Sequence, residues 1–205
     1  MCKSTGSNFL IVLFKCLIYR INGKNIITDQ RTRIKGLSNI STNGQLKVGL
    51  DYVGFTNNRD VTYLNIGGKL EVLGPFSIGR GCRFDIGSNA IVKLGAGSYI
   101  NPFTKVIIMN GLEIGDSCAI SWNCQFLDSD FHQLKYAGKK EPGLNTINIG
   151  NHVWIGSSVF VYKGTIIPNG CVIAANSVVR GIFEEENTLI AGNPAKVVKK
   201  NISWD

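Results

Sequence analysis

His132 is one of only two histidines in this 205-residue chain, and it stands close to Asp128 and Asp130 in the stretch LDSDFHQLKYAGKKEPGLNT. A neutral imidazole, with a reference pKa of about 6.5, accepts a hydroxyl proton near neutral pH and can return it later in a reaction. A nearby carboxylate either orients such a ring or only holds the loop together, and the spacing leaves both readings open. The other reactive side chains are six cysteines. A cysteine nucleophile needs exposure and a lowered pKa. Cys82, Cys118, Cys124 and Cys171 instead recur where small inward side chains are wanted, and a buried thiol behaves as a small hydrophobe. Cys2 and Cys16 belong to the N-terminal segment, and no CxxC pair occurs. A reduced, cytoplasmic protein is expected.

A loop imidazole acts only if something rigid holds it. From Ile149 to Val179 an aliphatic residue returns at every sixth position: Ile149, Ile155, Val161, Ile167, Ile173, Val179. Neither an α-helix nor a single strand has this period. It marks a parallel β-helix, in which each hexapeptide forms one flat side of a coil. The companion positions Val153, Val159, Thr165, Cys171 and Ser177 are small or β-branched, as the inside of a narrow prism requires. The same step, in shifted phase, runs through Ile34, Ile40 and Leu46, then Ile66, Val72, Ile78 and Phe84. It continues through Leu94, Ile100 and Val106, and through Ile114, Ile120 and Phe126. Glycine often follows the aliphatic, where a corner must be free of Cβ clashes. Coils should stack at the strand spacing of about 4.8 Å. Each coil buries its aliphatics only against its neighbours, so the ends need caps.

The expected fold is therefore all-β, a parallel β-helix over residues 32–184 with short terminal helices. An N-terminal apolar cap segment covers 1–31 and a C-terminal tail covers 185–205. The step breaks decisively between Phe126 and Ile149, so residues 127–146 leave the coil as one large loop. That loop carries His132, and loops on rigid scaffolds are where chemistry is usually placed.

The net charge of +8 points to anionic partners. The basic residues are scattered, with no basic helix or aromatic-interleaved patch, which argues against nucleic acid and leaves a phosphorylated cofactor or an acidic glycan. Residues 9–19 (FLIVLFKCLIY) are the most apolar stretch, but they are interrupted by Lys15 and fall short of the roughly 20 residues a membrane span takes. No small-residue cleavage site follows, which speaks against a secretory signal. Ser7 and Asn8 are placed to cap a short helix here. That helix either covers the open first coil or packs between subunits; the alternative is shallow docking on a membrane surface.

The hexapeptide array, the histidine-bearing loop, the segment IGNHVWIGSSV (149–159) and the closing AGNPAKVVKK (191–200) together resemble the hexapeptide-repeat acyltransferases. The likeness covers about residues 60–200 and is strongest to the galactoside and maltose O-acetyltransferases and their polysaccharide-cluster relatives. It implies a left-handed β-helix, against the general preference for right-handed crossovers. It also implies a homotrimer with acetyl-CoA in the clefts between subunits, a sugar or polysaccharide-precursor acceptor, and no metal. His132 matches the family's general base, and Asn101 in YINPFT matches its active-site asparagine. Ser157 matches the residue whose backbone N–H faces the oxyanion. Trp154, Gly156, Ser157, Ala174 and Ala175 fall on positions along the thioester and pantetheine arm, and Lys196 and Lys199 on basic positions near the nucleotide end. The acidic N-terminal helical segment of the maltose type is missing, which removes part of that family's acceptor recognition.

The expected reaction is O-acetylation of a sugar hydroxyl in capsular polysaccharide or O-antigen assembly, with N-acetylation of an amino sugar as the close variant. γ-Type carbonic anhydrases share the coil but need three histidines around zinc, and this chain has two. A non-enzymatic scaffold such as an ice binder would show a threonine ladder, whereas the outward positions here are mixed: Asn151, His152, Lys163, Asn169.

Overall fold

Stacked hexapeptide coils form a three-sided prism in a computed structural model of the chain, which describes residues 6–50, 53–132 and 145–205. Each side is a sheet of very short strands. Face A has nine, from Ile26–Thr28 up to Leu189–Gly192 and the closing strand Ala195–Lys199; face B has seven and face C six. All pairings are parallel except the last, where Ala195–Lys199 returns antiparallel on Leu189–Gly192.

Inward side chains stack in columns. On face A, Val48, Ile78, Ile100, Ile120, Ile155, Ile173 and Ile190 stand in register and are buried from bottom to top. Phe84, Val106, Phe126, Val161 and Val179 do the same on face B, as Val72, Leu94, Ile114, Ile149 and Ile167 do on face C. The six-residue step is therefore the edge length of the prism. A shift by one residue would turn a whole column outward, which is why the register is strict.

The companion positions do more than fit. Their thiols and hydroxyls donate to corner carbonyls on the coil above: Ser98 Oγ to Gly115 O at 2.7 Å, Cys118 Sγ to Gly150 O at 3.1 Å, Cys124 Sγ to Gly156 O at 3.2 Å. Corners interrupt the strand ladder, and a buried carbonyl left unpaired there is costly. Small inward donors solve this, so the cysteines act as hydrogen-bonding wedges as well as small hydrophobes. Burial pushes the Cys82 thiol up to about 12 and the Cys124 thiol up to about 11.

The N-terminal helix runs Phe9–Ile21, with the Asn8 side chain accepting from the amides of Leu10 and Ile11. Its inner side, Val12, Lys15, Cys16 and Tyr19, packs on the first coil, and Tyr19 joins the core. Lys15 Nζ donates to three carbonyls, Asp29, Gln30 and Thr32, at 2.7–3.1 Å. Desolvation there lowers its pKa despite the nearby Asp29 carboxylate.

Three features differ from the sequence reading. Stacking begins at Ile26 rather than near residue 32, because Ile26–Thr28 pairs with Leu46–Val48. The C-terminal segment supplies two strands rather than a helix: Leu189–Gly192 extends the face-A ladder and Ala195–Lys199 folds back on it. The coil is also broken twice. Face-A to face-B connections take four residues elsewhere, as in 101–104, but residues 49–62 make a longer excursion between Leu46–Val48 and Tyr63–Ile66. The run on each side keeps its own six-residue step, and the 20-residue gap from Leu46 to Ile66 reads in the sequence as a shift of phase. Of the predicted loop 127–146, residues 133–144 lie outside the described residues.

Candidate active site

The edge between faces A and B collects most of the predicted site. Asn101, Ser121, Gly156 and Ala174 each follow a face-A strand on successive coils, and the amide of each hydrogen-bonds to the coil above at 2.8–2.9 Å. One residue further on, Pro102, Trp122, Ser157 and Ala175 stack at a position with no rung partner. Among the described residues the amides of Trp122, Ser157 and Ala175 donate to no protein acceptor. Proline is accommodated in the same column because no N–H bond is lost there. The next residue turns the corner in the left-handed region: Phe103, Asn123, Ser158 and Asn176 all have φ near +60°. This local geometry, repeated coil after coil, leaves spare amide donors along one edge.

Glycine at 156 follows from close approach. A Cβ there would sit 2.7 Å from the Ala175 amide nitrogen and 2.8 Å from the Ile173 carbonyl. With Ser157, Ala174 and Ala175 beside it, the upper edge is a strip of small side chains. Trp154 borders it from face A, half-exposed, its Nε1 donating to Ser121 Oγ at 3.3 Å. At the top of the same face, Lys196 and Lys199 are exposed on the closing strand and take part in no ion pair among the described residues. The neighbouring Lys200 is held by Glu185 at 2.7 Å.

His132 lies elsewhere. It follows the face-B strand Gln125–Leu127 at the edge between faces B and C, and is exposed. The two nearby acids hold the loop rather than the ring. Asp128 is fully buried, and its carboxylate accepts from the amides of Met109, Asn110 and Gly111 at 2.7 Å each. Asp130 pairs with Lys163 one coil higher at 2.7 Å. The root of the excursion is thus pinned to the coil below and the coil above, which fixes where His132 emerges. The structure brings Asn101, Gly156, Ser157, Ala174 and Ala175 to one edge, Trp154, Lys196 and Lys199 to the adjoining face A, and His132 to the opposite edge of face B. About 10 Å of strand separates the two edges.

Aromatic residues that sequence reasoning passed over gather in two places, one on the A/B edge and one at the corner between faces C and A. The 49–62 excursion sets Phe55 against Phe103 and Trp122, with ring centroids 6.0 and 5.7 Å away. Near the top, the Trp204 ring stacks on His152 and lies 6.1 Å from Trp154. The 20-residue gap from Leu46 to Ile66 was the available signal for the first cluster; nothing in the spacing pointed to Trp204. Among the described residues, no group of three or more His, Cys, Asp or Glu side chains is arranged to hold a metal.

A prism of stacked hexapeptide coils is the left-handed β-helix of the hexapeptide acyltransferases. No family profile matches the chain. Individual proteins do. An uncharacterized 24.8 kDa protein in the cps region of Klebsiella pneumoniae is 42% identical over 206 residues, covering 99% of this chain and 92% of that one. The putative lipopolysaccharide biosynthesis O-acetyl transferase WbbJ of Escherichia coli is 32% identical over 148 residues, covering 67% of this chain and 75% of that one. Among solved structures, the polysialic acid O-acetyltransferase OatWY shares the fold, with a TM-score of 0.60 at 23% identity over 88% of this chain and 86% of that one. The chain belongs to the hexapeptide-repeat O-acetyltransferases.

Proposed function

We propose that this protein is an acetyl-CoA-dependent O-acetyltransferase that acetylates a sugar hydroxyl of a capsular-polysaccharide or O-antigen precursor, at sites shared between protomers of a homotrimer. The observation that carries the reading is the placement of His132 and the Asn101–Ser157 edge on opposite sides of face B. Packing prisms around a three-fold axis sets the B/C edge of one chain against the A/B edge of the next, and so completes a site that neither chain holds alone.

The acyl donor fits the A/B side. Lys196 and Lys199 offer unpaired cations for its phosphates, and the strip Gly156–Ser157–Ala174–Ala175 admits a narrow pantetheine arm beside Trp154. His132 takes the proton of the acceptor hydroxyl, and the oxygen attacks the thioester carbonyl. The spare Ser157 N–H donates to the oxyanion as it forms, where a preorganised donor has most effect. As the C–S bond breaks, the imidazolium returns its proton to the departing thiolate. Asn101 lies on the same edge, within the acceptor's reach. Phe55, Phe103 and Trp122 offer apolar faces beside it, suited to the C–H face of a sugar ring. The relatives' names, one from a cps region and one from lipopolysaccharide biosynthesis, support the acceptor class. The donor and the free thiols fit a cytoplasmic setting.

Co-assembly tests the shared site. His132→Ala and Asn101→Ala homotrimers should each be nearly inactive, and trimers reassembled from an equal mixture should regain about a quarter of wild-type activity, the share of interfaces with both residues intact. No recovery in demonstrably mixed trimers would overturn the shared site.

A further inference from the structure

The N-terminal helix is apolar on two sides and has a partner for only one. Val12, Lys15, Cys16 and Tyr19, at helical spacing, form its inner side on the first coil. Opposite them Leu10, Phe14, Leu17 and Ile21 recur at i, i+4, i+7 and i+11 and stand free, 71%, 65%, 51% and 85% exposed. Leu13 and Ile18 widen this stripe. A helix apolar all round belongs in a protein core or against lipid, and an exposed apolar patch of this extent marks a docking surface. The one charge within residues 9–19, Lys15, is turned inward onto the carbonyls of the first coil. The outer stripe therefore carries no polar group.

Charge decides what the stripe meets. Residues 1–50 hold eight Lys and Arg and one acid, Asp29, and so seven of the chain's eight net positive charges. Asp29 is buried beside Arg80 at 3.7 Å. Arg20, Arg31, Arg33 and Lys35 are exposed and take part in no ion pair among the described residues. A second copy docked stripe to stripe would bring two such cationic ends together, and like-charge juxtaposition opposes that pairing.

We infer that this helix seats the protein on an anionic lipid surface, its outer stripe lying in the headgroup–acyl boundary while the basic residues of the helix and first coil meet lipid phosphates. The helix is too short to cross a bilayer. Apolar burial and electrostatic attraction together give the two signals that stable peripheral binding takes. No step of the proposed acetyl transfer is needed for it.

The purified 205-residue chain is sedimented with phosphatidylcholine vesicles, with and without phosphatidylglycerol, at low and high salt. It should sediment with the anionic vesicles, less so at high salt, and remain in solution with the neutral ones. Leu10→Glu with Phe14→Glu should weaken partitioning by about tenfold or more while leaving thermal unfolding unchanged. Arg20→Glu with Arg31→Glu should remove the salt-sensitive part. Hydrogen exchange on the wild-type chain gives an independent readout: amides of Phe9–Ile21 should gain protection when anionic vesicles are added. Failure to sediment, equal binding by the Leu10/Phe14 variant, or assemblies larger than a trimer that this variant disperses would each overturn the inference, the last by making the occupant a second copy.

Discussion

Trp204 and His152 clasp each other: their rings stack at 4.2 Å and 8°, Trp204 Nε1 donates to the His152 carbonyl at 2.9 Å, and His152 Nε2 lies 3.1 Å from the Trp204 carbonyl. The clasp ties residues 52 positions apart and sets Trp204 6.1 Å from Trp154, whose Nε1 reaches Ser121 on the edge proposed to take the donor. His152, which looks like an ordinary surface residue in sequence, is thereby the anchor of the C-terminal segment. Trp204→Ala should cost about 1 kcal/mol of stability through the lost stack and hydrogen bond. It should raise KM for acetyl-CoA several-fold with little change in kcat, as steady-state kinetics would read directly; an unchanged KM would separate the clasp from the donor site.

His132 is exposed and makes no hydrogen bond among the described residues, so its loss should leave folding intact. His132→Ala is expected to lower kcat by about 10²–10⁴-fold, the usual contribution of a general base, with an unchanged melting temperature. Residual turnover close to wild type would assign the base elsewhere.

Asp128 and Asp130 should behave very differently. Asp128→Ala strips three amides of their acceptor, the buried Gly111 N–H among them, and should destabilise by about 2 kcal/mol or more in urea unfolding. Asp130→Ala loses one half-exposed ion pair with Lys163 and should cost less than about 1 kcal/mol. If either carboxylate oriented the imidazole, its Asn variant would shift the pH–rate profile; the geometry leads us to expect no such shift.

The inward thiols should be inert and structural. With Cys82 pushed to about 12 and Cys124 to about 11 by burial, the native chain should leave both unmodified by iodoacetamide at pH near 8, whereas urea-unfolded chain reacts. Cys124→Ser keeps a donor for the Gly156 carbonyl, and Cys124→Ala does not. The Ala variant should be the less stable by about 1 kcal/mol in a denaturant melt.

The proposed mechanism uses an imidazole and a backbone amide. Acetyl transfer measured as thiol release should therefore persist after exhaustive chelation, and a loss of activity restored by added metal would require a different account.

The hexapeptide period determined the prism, because residues six apart put one inward aliphatic on each successive face, and the third step returns the chain to the same column one coil higher, as Ile149 to Ile167 and Ile155 to Ile173. His132's loop was legible for the same reason: a 23-residue step in a six-residue rhythm cannot stay in the coil. The 49–62 insertion was harder to read, since its 20-residue gap from Leu46 to Ile66 differs by only two from the roughly 18 residues of one coil and so passes for a shift of phase. Only the tertiary structure decided what the acids beside His132 do. Asp128 reaches amides 17–19 residues back along the chain, a distance at which the number of residues between two groups says nothing about contact. It also separated two kinds of predicted residue that a linear chain cannot distinguish. Asn101 and Ser157, more than 50 positions apart in sequence, share one edge because each coil returns the chain to the same corner. His132, between them in sequence, emerges one corner later and therefore across the face.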